Sequence, residues 1–134
     1  MAHKGALKAI GNTIAVIGTG MDIVYPYENY NLYAQILKKG LVISEFIVGT
    51  KPNAINFPMR NRIVSALSDG VFVVEATENS GALITVDFAL EQGKNIYALP
   101  GNIDNTLSFG CNSLIKEGAK PVTNAKDILE DFFV

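Results

Sequence analysis

Short, nearly continuous apolar runs alternate with segments of helical periodicity along most of this chain. Residues 13–18 (TIAVIG), 41–46 (LVISEF), 71–76 (VFVVEA) and 95–100 (NIYALP) read as strands buried on both faces, and a weaker fifth follows at 120–123. Between them, 29–39 places Tyr30, Tyr33, Ala34 and Leu37 on one helical face, and 60–68 does so with Ile63, Val64 and Leu67. Residues 81–91 align Leu83, Ile84, Phe88 and Ala89, while Gly110 weakens a helix over 107–117. A last helix over 124–132 opens on Asn124 as a cap, and Gly40, Gly93 and Gly118 stand where helices stop. This alternation predicts an α/β domain, a mostly parallel sheet of four to five strands with helices on both faces. The chain opens instead on a short polar helical turn (1–8), so either the domain is small or its opening strands lie elsewhere.

Composition narrows the class without naming a function. The 134 residues, 49% hydrophobic and 18% charged, suit one globular domain. No apolar run reaches the roughly 20 residues of a membrane helix, and the N-terminus lacks a signal-peptide layout, so a cytoplasmic protein is expected. One cysteine and one histidine exclude an internal disulfide and argue against a zinc centre. The net charge of −2 speaks against nucleic acid, but residues 1–62 carry seven basic and three acidic side chains and residues 63–134 four and ten. Such asymmetry can mark one face for an anion, or be scatter of surface charge.

Four loops follow strand ends, and in a parallel sheet those loops gather at one edge. The first holds Gly18 and Gly20, but Ile23 replaces the last glycine of a dinucleotide fingerprint, so a tight turn and a ligand contact both stand. The stretch 51–62 (KPNAINFPMRNR) offers Lys51, Arg60 and Arg62 with no acid, and Pro58 suits a helix first turn. Cations at a helix start beside Phe57 make a phosphate clamp with a stacking platform. Phe57 equally suits a hydrophobic staple, with the arginines paired to Glu45 or Glu75. Ser80, Gly81 and Thr85 form a capped helix start whose amides suit an anion, although capping alone accounts for Ser80. Gly101, in the fourth loop, is read as a positive-φ turn or a close approach to a ligand. Cys111 reads as a buried structural thiol and His3 as a surface residue.

Taken in order, AHKGAL (2–7), TIAVIGTGMDIVYP (13–26), GLVISEF (40–46), NFPMRNRIVSALS (56–68), the run from Val73 to Ile103 and FGCNSLIKEGA (109–119) resemble the DprA/Smf family. The resemblance implies a Rossmann-like three-layer core that binds single-stranded DNA without strong sequence preference, dimerises, helps to load the RecA recombinase in natural transformation, and is neither an enzyme nor cofactor-dependent. It assigns Phe57 to base stacking and Arg60, Asn61 and Arg62 to the family's RNR motif. Ser80, Gly81 and Thr85 match its SGxLIT turn, Gly18 and Gly20 its first glycine turn, and Lys51 is the nearest basic residue before the aromatic. Ala54 stands where one is expected.

The resemblance also implies two further strands ahead of AHKGAL, with an arginine loop and a serine–glycine loop that form half of the phosphate pocket. This chain begins just after them, so it is expected to be a partial domain with weakened DNA binding. Two alternatives are kept: a dimerising remnant without DNA binding, and a nucleoside-monophosphate phosphoribohydrolase of the lysine-decarboxylase-like group. The second lacks its PGGxGTxxE hallmark, since 100–104 reads PGNID. Ile128, Leu129 and Phe132 are the candidate dimer stripe, or else ordinary core packing.

Overall fold

The structure, a computed structural model, describes residues 1–9 and 12–133. The chain divides into two compact units, Met1–Arg60 and Asn61–Val134. In the first, helix α1 (Ala2–Lys8) precedes strand β1 (Ile14–Val16), a 3-10 turn (Tyr27–Asn29), helix α2 (Tyr30–Lys39) and strand β2 (Leu41–Ile43). Helix α3 (Asn56–Ala66) begins here and ends in the second unit. There follow β3 (Gly70–Val73), α4 (Gly81–Glu91), β4 (Asn95–Ala98), a 3-10 turn (Thr106–Ser108), α5 (Phe109–Lys116), β5 (Lys120–Pro121) and α6 (Lys126–Leu129).

The α/β class with parallel strands is as expected, but the strands form two ladders instead of one sheet. Strand β1 pairs with β2, and β3, β4 and β5 form a second sheet in that order, all parallel. Each strand is also shorter than its apolar run, because the run's end is taken over by loop chemistry. Ser44, expected in a strand, donates its hydroxyl to the Thr19 carbonyl and accepts from the Phe46 amide, which bends the chain out of the ladder. Likewise Ala76 exchanges hydrogen bonds with Leu107 and Gly110 in a loop.

Helix faces shift for a related reason. On α2 it is Ile36 that is buried, with Leu32 and Tyr33 beside it against Ala15 and Val42, while the expected Tyr30 and Leu37 are exposed. The Tyr33 hydroxyl donates to the Met21 carbonyl, fixing that ring at the sheet edge. On α4 the buried pair is Val86 and Ala89. With Val73, Ala76, Ala98, Cys111 and Leu114, Val86 forms the second unit's core. Cys111 is fully buried, as expected, with Sγ 3.6 Å from the Val73 carbonyl, and burial pushes its thiol pKa up. The expected helix over 124–132 contracts to α6, because Asp127 turns its carboxylate back onto the Thr123 and Asn124 amides. The cap position of α6 falls on Ala125 and not on the expected Asn124, which stands one residue earlier, its side-chain oxygen accepting from the Lys126 amide. Among the described residues no helix is long and apolar enough to cross a membrane.

Candidate nucleic-acid interface

The first unit builds its site on the loop after β1. Thr19, 2% exposed, donates its hydroxyl to the Ile23 carbonyl and accepts Ser44 at its own, which ties this loop to the one after β2. Gly20 donates to Thr50, and a Cβ at Gly20 would lie 2.7 Å from both the Ile47 carbonyl and an Asp22 carboxylate oxygen. That carboxylate accepts the Gly49 amide at 2.8 Å, a further tie between the loops after β1 and β2. Gly20 is a packing glycine, and it does not line the cavity described next.

Gly18 has a different purpose. A Cβ there would sit 3.0 and 3.2 Å from Cδ1 and Cε1 of Phe57, so the aromatic ring rests on the bare Cα. Asn56 holds the seat by donating its side-chain amide to the Gly18 carbonyl at 3.2 Å. Tyr25 stands beside this ring, centroids 5.7 Å apart and planes inclined by 35°, and is itself 57% exposed. Arg60, one turn further along α3, donates to the Val16 carbonyl at the end of β1, with its guanidinium carbon 6.0 Å from the Phe57 centroid. Burial lowers its pKa, but a guanidinium remains charged.

Together His3, Gly18, Thr19, Tyr25, Phe57 and Arg60 bound a cavity of about 310 Å³ whose inner wall is apolar. His3 is a correction to the sequence expectation: it is half-buried and lines the cavity, its Nδ1 2.8 Å from the Thr13 hydroxyl. Burial, and after it the N-terminal ammonium and Arg60, hold its imidazole below the ordinary value. The cavity therefore offers two rings, one fixed cation and an apolar wall, a combination suited to a planar aromatic group attached to an anion.

Not every expected residue gathers here. Lys51 is exposed and does not line the cavity. In the second unit Asn61 is half-buried and Arg62 exposed, the Arg62 carbonyl accepting from Gln92 and Ser65. Ser80 accepts the Ala82 amide at 3.3 Å as the cap of α4, Gly81 is exposed with open space around its Cα, and Thr85 is half-buried. Gly101 is a correction: it is not among the glycines with positive φ, and a side chain there would strike Ser108, so the close approach it serves is to the protein itself and not to a ligand. Sequence reasoning missed Tyr25, Asn56 and His3. The Tyr-Pro pair in the same loop as the glycine turn, separated from Gly20 by four residues, was the available signal for Tyr25.

The family model described as DNA recombination-mediator protein A matches residues 1–133. DNA processing protein DprA of Streptococcus pneumoniae is 49% identical over 131 residues, covering 98% of this chain and 46% of that protein. Protein Smf of Escherichia coli is 48% identical over 132 residues, covering 98% and 35%. The crystal structure of S. pneumoniae DprA superposes with a TM-score of 0.92 at 47% identity, over 99% of this chain and 47% of that one. A structure of DNA processing protein A from Helicobacter pylori, solved for insight into its single-stranded DNA binding mode, gives a TM-score of 0.82 at 30% identity, over 89% and 55%. The chain thus spans less than half the length of these two curated relatives.

Proposed function

Because the chain belongs to the DprA/Smf family of DNA recombination-mediator proteins, we propose that its first unit binds single-stranded DNA by stacking a base on Phe57 and Tyr25. The observation that carries this reading is the Phe57 ring seated on Gly18 beside an exposed Tyr25 and the cationic Arg60, within one cavity. Every base has a π-face, so such a platform is indifferent to sequence. Gly18 and Gly20 shape the loop, and Lys51 supplies charge from the loop before α3. In the second unit Asn61, Arg62 and the α4 start (Ser80, Gly81, Thr85) are assigned phosphate contacts of their own.

The likeness to the H. pylori protein supports the single-stranded ligand, and the family's description supports a place in DNA recombination, for which transformation is the proposed setting and RecA the proposed protein partner. The domain is proposed to act as a homodimer through Ile128, Leu129 and Phe132. Leu129 and Phe132 are 49% and 40% exposed, and Ile128 and Phe132 line an apolar groove with Phe72 and Phe133. That groove also sustains the second reading, a dimerising module that no longer binds DNA. Fluorescence anisotropy with labelled oligothymidylate separates the two. The first predicts affinity that weakens steeply as salt rises, and a dimer without salt-sensitive binding overturns it.

A further inference from the structure

Beside the stacking cavity the same unit carries a second groove. Helices α1 and α2 pack together, and along them lies a space of about 510 Å³ lined by Lys4, Lys8, Lys38 and Lys39, with Glu28 as its one acid. These are four of the unit's six basic side chains. All four are exposed, and among the described residues none forms an ion pair. Lys4 and Lys8 stand four apart on α1, where like charges repel, and Lys4 lies in the first turn, where the helix dipole disfavours a cation. Lys38 and Lys39 close α2, where the dipole favours them, yet they add to the same concentration of charge. Such a cluster costs the folded chain stability unless an external anion offsets it.

The groove does not stand apart from the candidate site. Asn29 and Leu32 line both it and the Phe57 cavity, so a chain leaving the cavity meets the lysines next. From this continuity, and resting on the single-strand reading above, we infer that the α1–α2 lysine groove binds the sugar-phosphate backbone of the strand whose base enters the Phe57 cavity. The bound path thereby runs along α1 and α2 as well as at the strand-end loops.

The test compares the full chain with Lys4→Gln/Lys8→Gln/Lys38→Gln/Lys39→Gln and with a control, Lys116→Gln/Lys126→Gln, in the other unit. Anisotropy is read against salt for a long oligothymidylate and for a short one that fills the cavity alone. Each phosphate neutralised on a single strand adds about 0.7 to the slope of log affinity against log salt. The four-lysine variant is therefore expected to lose about 2 to 3 from that slope with the long strand, while the short strand binds as before. The control is expected to keep the slope. Lys38→Gln/Lys39→Gln alone, which leaves α1 untouched, is expected to lose about half as much and guards against a variant that fails to fold. A long-strand slope retained in the four-lysine variant, while Phe57→Ala still weakens binding, overturns the groove and spares the stacking reading. An equal loss in the control also overturns it, and a wild-type chain without salt-sensitive binding overturns both.

Discussion

At the scale of single residues the site depends on Gly18 as much as on Phe57. Gly18→Ala would place a methyl 3.0 Å from the Phe57 ring, and the ring must move or the loop must open. Strain of that kind costs about 1–3 kcal/mol. The variant is expected to unfold at lower urea and to bind oligothymidylate more weakly. Tyr25→Phe keeps the ring and is expected to bind as wild type, whereas Tyr25→Ala should lose about fivefold or more, since a base–aromatic stack is worth about 1–3 kcal/mol. Equal affinity of the two Tyr25 variants would remove Tyr25 from the platform. Phe57 and Arg60 were legible in the sequence because an aromatic and two arginines in an acid-free stretch declare their chemistry. The task of Gly18 was not, because its partners lie far along the chain, as the 38 positions between Asn56 and Gly18 show. His3 was misread for the same reason, its burial coming from elements that α1 meets only after folding.

Among elements, α4 and the C-terminal segment show what local chemistry decides. Ser80→Ala removes the one side-chain cap of α4 and is expected to cost about 1 kcal/mol, seen as a lower urea midpoint. The segment after β5 is held by Lys120, whose ammonium lies 2.7 Å from Glu130 and 2.8 Å from Asp131. The buried Tyr97 hydroxyl also donates to Asp131 at 2.9 Å. Those hydrogen bonds, from Lys120 first and Tyr97 second, hold the Asp131 carboxyl below its ordinary value. Backbone amides of Thr123 and Asn124 do the same for Asp127. A depressed carboxylate contributes stability above its unfolded pKa and loses it as pH falls through the folded one. The urea midpoint is therefore expected to drop as pH falls below about 4, and less so in Asp131→Asn; an equal drop in both would contradict the role given to the Asp131 carboxylate. Strand centres and helix centres were readable from apolar periodicity. Their ends were not, since Ser44 and Asp127 spend side-chain hydrogen bonds on turning the backbone, which periodicity does not encode.

The whole molecule divides its charge as it divides its contacts. The unit Met1–Arg60 carries six basic and three acidic side chains, the unit Asn61–Val134 five and ten. A net charge of −2 conceals that the stacking cavity and the lysine groove both belong to the basic unit. The pattern of strands and helices carried the α/β class and the parallel strands. It did not carry the separation into two ladders, because pairing partners are chosen by long-range contacts that apolar periodicity leaves open. If the C-terminal apolar groove is a dimer face, light scattering should report a dimer that Phe132→Asp converts to monomer, and an unchanged mass would exclude that face. Whether Phe57 holds a base is decided by measuring the affinities of wild type and Phe57→Leu for oligothymidylate and for an abasic strand of equal length. Stacking predicts that removing the bases weakens wild type about fivefold or more and hardly affects Phe57→Leu; the same penalty in both proteins would contradict it.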